Sequence, residues 1–328
     1  IYADGQFDDA RLGIVTALTC IEKGAVVLNY FRVTSLLHEN DKVAGVAIED
    51  KLTGRKYKVR SKAVINATGV FSDKIVKMSR SSFSHKVVAS QGAHIVLSKK
   101  FFNSDLGVLV PETSDGRVLF VIHWMGYTLA GTTDVMVKKA KLEPVPFESE
   151  IDFILETLGE YLCIKPERKD ILSAFAGLRP LIKQEGMDTK DMSREHKILV
   201  GDDGLITITG GKWTAYRKMG EDVIEKAIQI GNLPFSRSTS AKIRLQGFPD
   251  GEEYRYPQYG SCSKLIEEIE EDDPSTSQMV YPDVPVTQSQ VIYSARFEHA
   301  HSIEDILARR TRILFLNAQA ALNAAQSV

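Results

Sequence analysis

Apolar residues recur at helical spacing from Asp8 to Lys23, where Leu12, Val15 and Leu18 share a face. Asp8 or Asp9 stands at the start as a cap and Gly24 at the end. Ala25 to Leu37, rich in Val, Leu and aromatics, predicts a strand. Val43–Asp50 and Lys56–Ser61 flank Thr53-Gly54-Arg55 and predict a hairpin. Ala63-Val64-Ile65-Asn66-Ala67 is a short apolar run that reads as a buried strand entering a loop at Thr68-Gly69. Helix, strand, hairpin and buried strand in this order predict the second half of a doubly wound sheet.

The pattern changes at Val87. Short β-rich segments up to Asp134, broken by Gly92, Gly107, Gly116, Gly126 and Gly131, predict an antiparallel sheet. Ser149–Leu162 predicts a helix with Ile151, Ile154, Leu155 and Leu158 inward. Leu199-Val200 and Leu205–Thr209 predict strands joined across Asp202-Asp203-Gly204, and Lys212–Gln229 a helix. Phe248–Pro285 is acidic and rich in Pro, Tyr and Ser, which predicts a surface segment, mobile in part. Ser302–Gln326 returns to helical spacing.

Composition narrows the function classes. The chain has 328 residues, 43% hydrophobic and 26% charged, with a formal charge of −2 from 41 basic and 43 acidic residues. That balance argues against a nucleic-acid binder. Cys20, Cys163 and Cys262 are too scattered for a CxxC site or a disulfide framework. No apolar run approaches the roughly 20 residues of a membrane span. The chain enters structured sequence at Ile1 without a methionine, which reads as a cut N-terminus, so a missing targeting segment carries little weight.

Six stretches carry candidate chemistry. Asn66-Ala67-Thr68-Gly69 ends a buried strand in a glycine, the place where a backbone approaches a ligand closely; a plain strand-to-loop turn is the alternative. Gly210-Gly211-Lys212-Trp213-Thr214 lies between a strand and a helix, where amides attract an anion or a carbonyl. It is not a P-loop, because Trp213 follows the lysine and Ile206 stands five residues before Gly211. Arg179, in Gly177-Leu178-Arg179-Pro180-Leu181, suits either a partly buried anion clamp or a structural ion pair. His94, in Gln91-Gly92-Ala93-His94-Ile95-Val96, is either a general base or a hydrogen-bonded core residue. Gly131-Thr132-Thr133-Asp134 reads as a turn or a ligand loop. Arg309-Arg310-Thr311-Arg312 reads as an anion site or a solvated helix face, and Arg194 alone as an exposed arginine.

Taken together, these stretches resemble the FAD-dependent glycerol-3-phosphate dehydrogenases, the mitochondrial branch above all. Asp4-Gly5-Gln6 with Asp9-Ala10-Arg11, Asn66–Gly69, Gly92–Val96, Ser114–Val118, Ala130–Asp134, Gly177–Leu181, Gly210–Arg217 and Arg309–Arg312 before Phe315-Leu316-Asn317 occur in family order. The resemblance implies an α/β fold: a three-layer, doubly wound FAD-binding domain with an inserted antiparallel-sheet substrate domain and a C-terminal helical region. It implies an FAD-binding part over 1–86 and a substrate domain over 87–175. A substrate loop and return to the first domain would span 176–232, and the helical region 233–328. It also implies oxidation of glycerol 3-phosphate to dihydroxyacetone phosphate by hydride transfer from C2 to FAD. Electrons would pass to ubiquinone, by an enzyme held peripherally on the mitochondrial inner membrane, with a homodimer left open.

Carried over residue by residue, Asn66, Ala67, Thr68 and Gly69 would lie against FAD. Gly210, Gly211, Lys212, Trp213 and Thr214 would bracket its ring. Arg179, Arg194 and Lys212 would hold the substrate. His94 would act as base, with Arg179 a rival for part of that role and Lys212 close by. The departures are the missing Gly-x-Gly-x-x-Gly fingerprint, the absence of an Asp-x-Asp-x-Asp-Gly calcium loop, and Phe248–Pro285, which matches the family poorly. No metal site is expected. An oxidase that reduces oxygen, and a non-catalytic fragment of the family, are the competing readings.

Overall fold

The computed structural model describes residues 5–79, 87–111, 113, 116–182, 195–282 and 284–328. Helix α1 (Asp9–Glu22) begins where Asp8 Oδ1 accepts from the amides of Ala10 (3.0 Å) and Arg11 (3.2 Å), which satisfies two donors of the first turn. Gly24, at φ +88°, ends it as expected.

Strands β1 (Phe31–Glu39), β2 (Lys42–Asp50) and β3 (Lys56–Arg60) form an antiparallel meander with the hairpin at Thr53-Gly54-Arg55. Two expectations change here. Ala25–Tyr30 is not strand: Tyr30 sits at φ +61° with its hydroxyl donating to Asp305 (2.8 Å), and Val26 and Leu28 are exposed without a ladder partner among the described residues. The meander is also a sheet of its own, not a continuation of the main one.

Strand β4 (Ile65–Asn66) leads through a 3-10 turn (Gly69–Phe71) into helix α2 (Ser72–Val76). The predicted antiparallel sheet follows. It is built from β5 (Val87–Ser98), β6 (Val108–Val110), β7 (Leu119–Trp124), β8 (Tyr127–Gly131), β9 (Val135–Val137) and, beyond helix α3 (Glu148–Tyr161), β10 (Ile171–Ile182). The strand order is β10-β5-β8-β7-β6, with β9 also on β5. Alternation along β5 turns Ala93, Ile95 and Leu97 toward Ile154 and Leu158 of α3, and these are fully buried. The opposite face receives Ser90, Gly92 and His94, aligned with Arg179, Gly177 and Phe175 of β10. That face carries the candidate site.

Strands β11 (Lys197–Val200) and β12 (Ile206–Thr209) then form the sheet β11-β12-β4, in which β12 runs parallel to β4 through Ile206 opposite Ile65 and Thr207 opposite Asn66. Helix α4 (Tyr216–Ile230) covers it with Val223 and Ala227.

The C-terminal part corrects two further expectations. The acidic stretch is not a loose surface segment: helix α5 (Ser263–Asp272) turns Ile266 and Ile269 into a core with Tyr256, Tyr259 and Tyr293, the last from α6 (Gln288–Phe297). Its acidic residues are mostly the outer face of an amphipathic helix. Glu270 is buried, accepting from Ser289 Oγ (2.7 Å) and paired with Arg255. The last predicted helix is broken into a π-helical turn (Asp305–Arg310), α7 (Ile313–Leu316) and α8 (Ala318–Ala324). The first break is Arg312 at φ +63°, and the second is Asn317, which leaves helical geometry to cap Ala320 (3.0 Å).

Candidate active site

The site grows from one cross-strand relationship. His94 on β5 lies opposite Phe175 on β10 and Gly131 on β8. Its imidazole stacks on the Phe175 ring, with centroids 5.3 Å apart and planes 16° from parallel. A Cβ on Gly131 would stand 2.3 Å from His94 Cδ2, so only glycine leaves room for the ring. Gly92 does the same for Arg179: a Cβ there would lie 2.4 Å from Nη2 and 2.5 Å from Thr132 Oγ1. The Arg179 guanidinium donates to Thr132 Oγ1 (3.0 Å) and to the Thr133 carbonyl (3.2 Å), which fixes its fork over the face of β5.

His94 keeps a little solvent contact, but its Nδ1 is sealed from water and has no hydrogen-bond partner among the described residues. Burial pushes its pKa down from 6.5 to about 4. The Arg179 charge adds to that shift, and Asp9 at the start of α1 opposes it. The imidazole is therefore neutral near pH 7, ready to accept a proton.

A second group forms where the parallel strands β4 and β12 end side by side. Asn66 is a buried tie: its Nδ2 donates to Ser72 O (3.0 Å) and Thr207 Oγ1 (3.3 Å), and its Oδ1 accepts from Thr68 Oγ1 (2.7 Å). Ala67 and Thr68 are exposed beyond it, and Gly69 adopts φ +54° with open space where a Cβ would be. On the neighbouring strand Gly210 and Gly211 sit at φ +76° and +79°, and Lys212, Trp213 and Thr214 are exposed. The buried Thr209 Oγ1 lacks a partner among the described residues. Exposed backbone, an unsatisfied hydroxyl and a large open aromatic at the carboxyl ends of parallel strands suit a flavin dinucleotide. The residues present fit that group: Ala67–Gly69 and Gly210–Thr214 would hold it, while the Asn66 side chain is spent on shaping the turn.

The two groups adjoin. The 3-10 turn after Gly69 touches β5 and β10, and Ile182 Cδ1, at the end of β10, would be 3.4 Å from a Cβ on Gly210. Lys212 lines a shallow depression with Glu195, His196, Gly211 and Ala215. No hydrogen bond, ion pair or ring contact joins it to His94 or Arg179 among the described residues. Arg194 lies outside the described residues. The arginine run divides: Arg309 is partly solvated and pairs with the exposed Glu143 (3.0 Å) and Glu304 (2.9 Å), whereas Arg310 and Arg312 are buried, Arg310 donating to the Glu298 carbonyl and Arg312 pairing with Asp9 (3.1 Å).

Sequence reasoning missed Phe175 and took Asp9 only as a cap and part of a motif; Phe175 meets His94 through the register of β10, and the Asp9 charge acts on it through the docking of α1. It also missed a cavity of about 550 Å³ between α1, the β7–β8 turn and the C-terminal helices, lined by Asp8, Arg11, Tyr259, Gln290, Arg310 and Arg312 among others.

The fold and this site define a class. Residues 1–217 match the model of the FAD dependent oxidoreductases, and the chain belongs to that family. Residues 251–328 match the C-terminal domain of alpha-glycerophosphate oxidase, which corrects the expectation that the stretch up to Pro285 departs from the family. Among named proteins, the chain is similar to the mitochondrial glycerol-3-phosphate dehydrogenases of Arabidopsis thaliana (35% identical, over 100% of this chain and 58% of that one) and Schizosaccharomyces pombe (34%, 100% and 60%). The rat enzyme is 36% identical over 98% of this chain and 48% of its own. The chain thus spans about half the length of the curated relatives it matches. The solved structure of a glycerol-3-phosphate dehydrogenase from Bacillus halodurans, complexed with FAD, superimposes with a TM-score of 0.84 at 28% identity, over 98% of this chain and 68% of that one.

Proposed function

We propose that this chain is the catalytic body of an FAD-dependent glycerol-3-phosphate dehydrogenase. The observation that carries the reading is the pairing of a neutral, enclosed His94 with the Arg179 fork on the face of β5 and β10, next to the strand ends suited to a flavin. Bound FAD supplies the acceptor for the hydride that leaves C2 of the substrate. Arg179 holds the phosphate or the C2 oxygen, and its charge stabilises the negative charge that develops on that oxygen as the hydroxyl proton is lost. Arg194 and Lys212 are the further cations proposed for the phosphate. His94 Nε2 takes the hydroxyl proton, since Nδ1 is sealed. A dianionic phosphate beside Arg179 offsets that charge and raises the basicity of His94 just when a base is needed. The carbon loses two electrons and becomes the ketone of dihydroxyacetone phosphate.

The names of the relatives support a mitochondrial setting; a peripheral place on the inner membrane and ubiquinone as final acceptor are part of the same proposal. Among the described residues no helix is long and apolar enough to cross a membrane. Oxygen as acceptor is the second reading, favoured by the match of residues 251–328 to an oxidase domain. The test uses the full-length protein under argon. Glycerol 3-phosphate should bleach the flavin absorbance, and Arg179→Lys should raise the substrate concentration for half-bleaching by about tenfold or more. An unbleached spectrum rejects the substrate. Peroxide formed in air at the rate of turnover selects the oxidase.

A further inference from the structure

Among the described residues, no hydrogen bond explains the orientation of His94. A histidine that moves protons is usually aimed by a partner on its other nitrogen, yet Nδ1 here faces no acceptor or donor among the described residues. The ring is held by shape alone, with Gly131 against one edge and the Phe175 face stacked upon it. Phe175 in turn is braced from the far end of the chain. Phe315 of α7 meets it edge-on, with centroids 4.7 Å apart and planes at 80°. The position of Phe315 is itself over-determined. Ser173 Oγ, two residues before Phe175 on β10, donates to the Leu314 carbonyl (3.0 Å). The Arg312 guanidinium lies 4.5 Å from the Phe315 centroid and 5.5 Å from that of Trp124. Arg312 reaches this place from a left-handed backbone, φ +63°, an unfavourable conformation for a non-glycine residue, and is tied down by Asp9 Oδ1 (3.1 Å) and the Ala308 carbonyl (3.2 Å).

We propose that Phe315 is a positioning residue for the reaction, acting through Phe175 to hold the His94 imidazole in its working plane. The C-terminal region therefore reaches into the chemistry without touching substrate. This inference rests on the reading of His94 as the base. The ladder Phe315–Phe175–His94 also keeps water from the imidazole. The charged groups acting on that ring are Arg179 from β10 and Asp9 from α1; on the α7 side Arg312 is paired with Asp9.

The test compares Phe315→Ala and Phe315→Leu with the parent in the full-length, flavin-loaded protein. Two readouts are used: the titration of the His94 ring by carbon-13 NMR of labelled histidine, assigned with His94→Gln, and the pH profile of kcat/KM with glycerol 3-phosphate. In Phe315→Ala the His94 titration should move up from about 4 toward 6.5 as water enters. kcat should fall on the order of tenfold or more, with KM within about twofold, because a misaimed base costs rate and not binding. Phe315→Leu should lie between the two. If Phe315→Ala does not fold, Phe315→Leu decides alone. A variant with native melting and flavin content whose His94 titrates as in the parent overturns the proposal. The NMR readout is independent of the substrate: a parent that glycerol 3-phosphate fails to reduce sinks the function, while the titration still reports on the ladder.

Discussion

The Arg11 guanidinium and the Glu298 carboxylate, 287 positions apart, form an ion pair in which both side chains are largely withdrawn from water. Arg11 also lies over the Tyr259 ring, 4.4 Å from its centroid, and donates to the Arg310 carbonyl (3.0 Å). One residue of α1 thus holds three elements of the C-terminal region. Removing it leaves a buried carboxylate unpaired. Arg11→Ala should lower stability by about 3–5 kcal/mol, and Arg11→Met with Glu298→Leu should recover much of the loss. Urea midpoints measure both; a single variant within about 1 kcal/mol of the parent rejects a buried pair.

Gly92 makes room for the Arg179 fork. Gly92→Ala should push the guanidinium off Thr132 and lower kcat/KM on the order of a hundredfold, with a smaller effect on melting. Gly220, on α4 with open space around it, is the control. Gly220→Ala should leave turnover unchanged and add up to about 1 kcal/mol of stability. Equal turnover in the two variants contradicts the crowding argument.

His94 links stability to pH. Its pKa falls from 6.5 in the open chain to about 4 in the fold, so the unfolded state binds the proton more tightly. The contribution of the neutral ring is complete above pH 6.5 and is lost as pH falls toward 4. Between pH 7.5 and 4.5 the parent should lose roughly 2–3 kcal/mol more than His94→Gln. Parallel stability curves for the two proteins rule out the depressed value.

Asn66 spends its amide on the turn that precedes Gly69. Asn66→Ala removes the buried hydrogen bonds that its amide makes with Ser72 O, Thr207 Oγ1 and Thr68 Oγ1 and should cost about 2–3 kcal/mol. Flavin should leave the full-length variant at a lower temperature, followed by the rise in free-flavin fluorescence. Unchanged release rejects the turn as part of the cradle.

The predictable elements were those governed by local rules. Asp8 and Gly24 bound α1 through capping and a left-handed turn, and the alternation along β5 revealed both faces of the sheet. The glycines at 92 and 131 were visible as breaks in a β pattern, but their purpose was not, because the groups they accommodate come from β10 and β5 across the sheet. The capping box of α6 is a local signal too, Thr287 followed three residues on by Gln290: the Thr287 amide donates to Gln290 Oε1 (2.9 Å). In α5 the density of charge hid two inward isoleucines. The split of the last helix depends on Arg312 finding Asp9, 303 positions away, and no local pattern contains that.

That pairing has a consequence for the order of synthesis. A ribosome releases β5 and β10 long before Arg312 and Phe315. Through that interval the face bearing His94 lacks its last wall, and Phe175 lies open on a nascent chain. Contacts of such sequence separation close slowly, so the interval from the emergence of β10 to the docking of α7 is when this face most needs shielding by a chaperone.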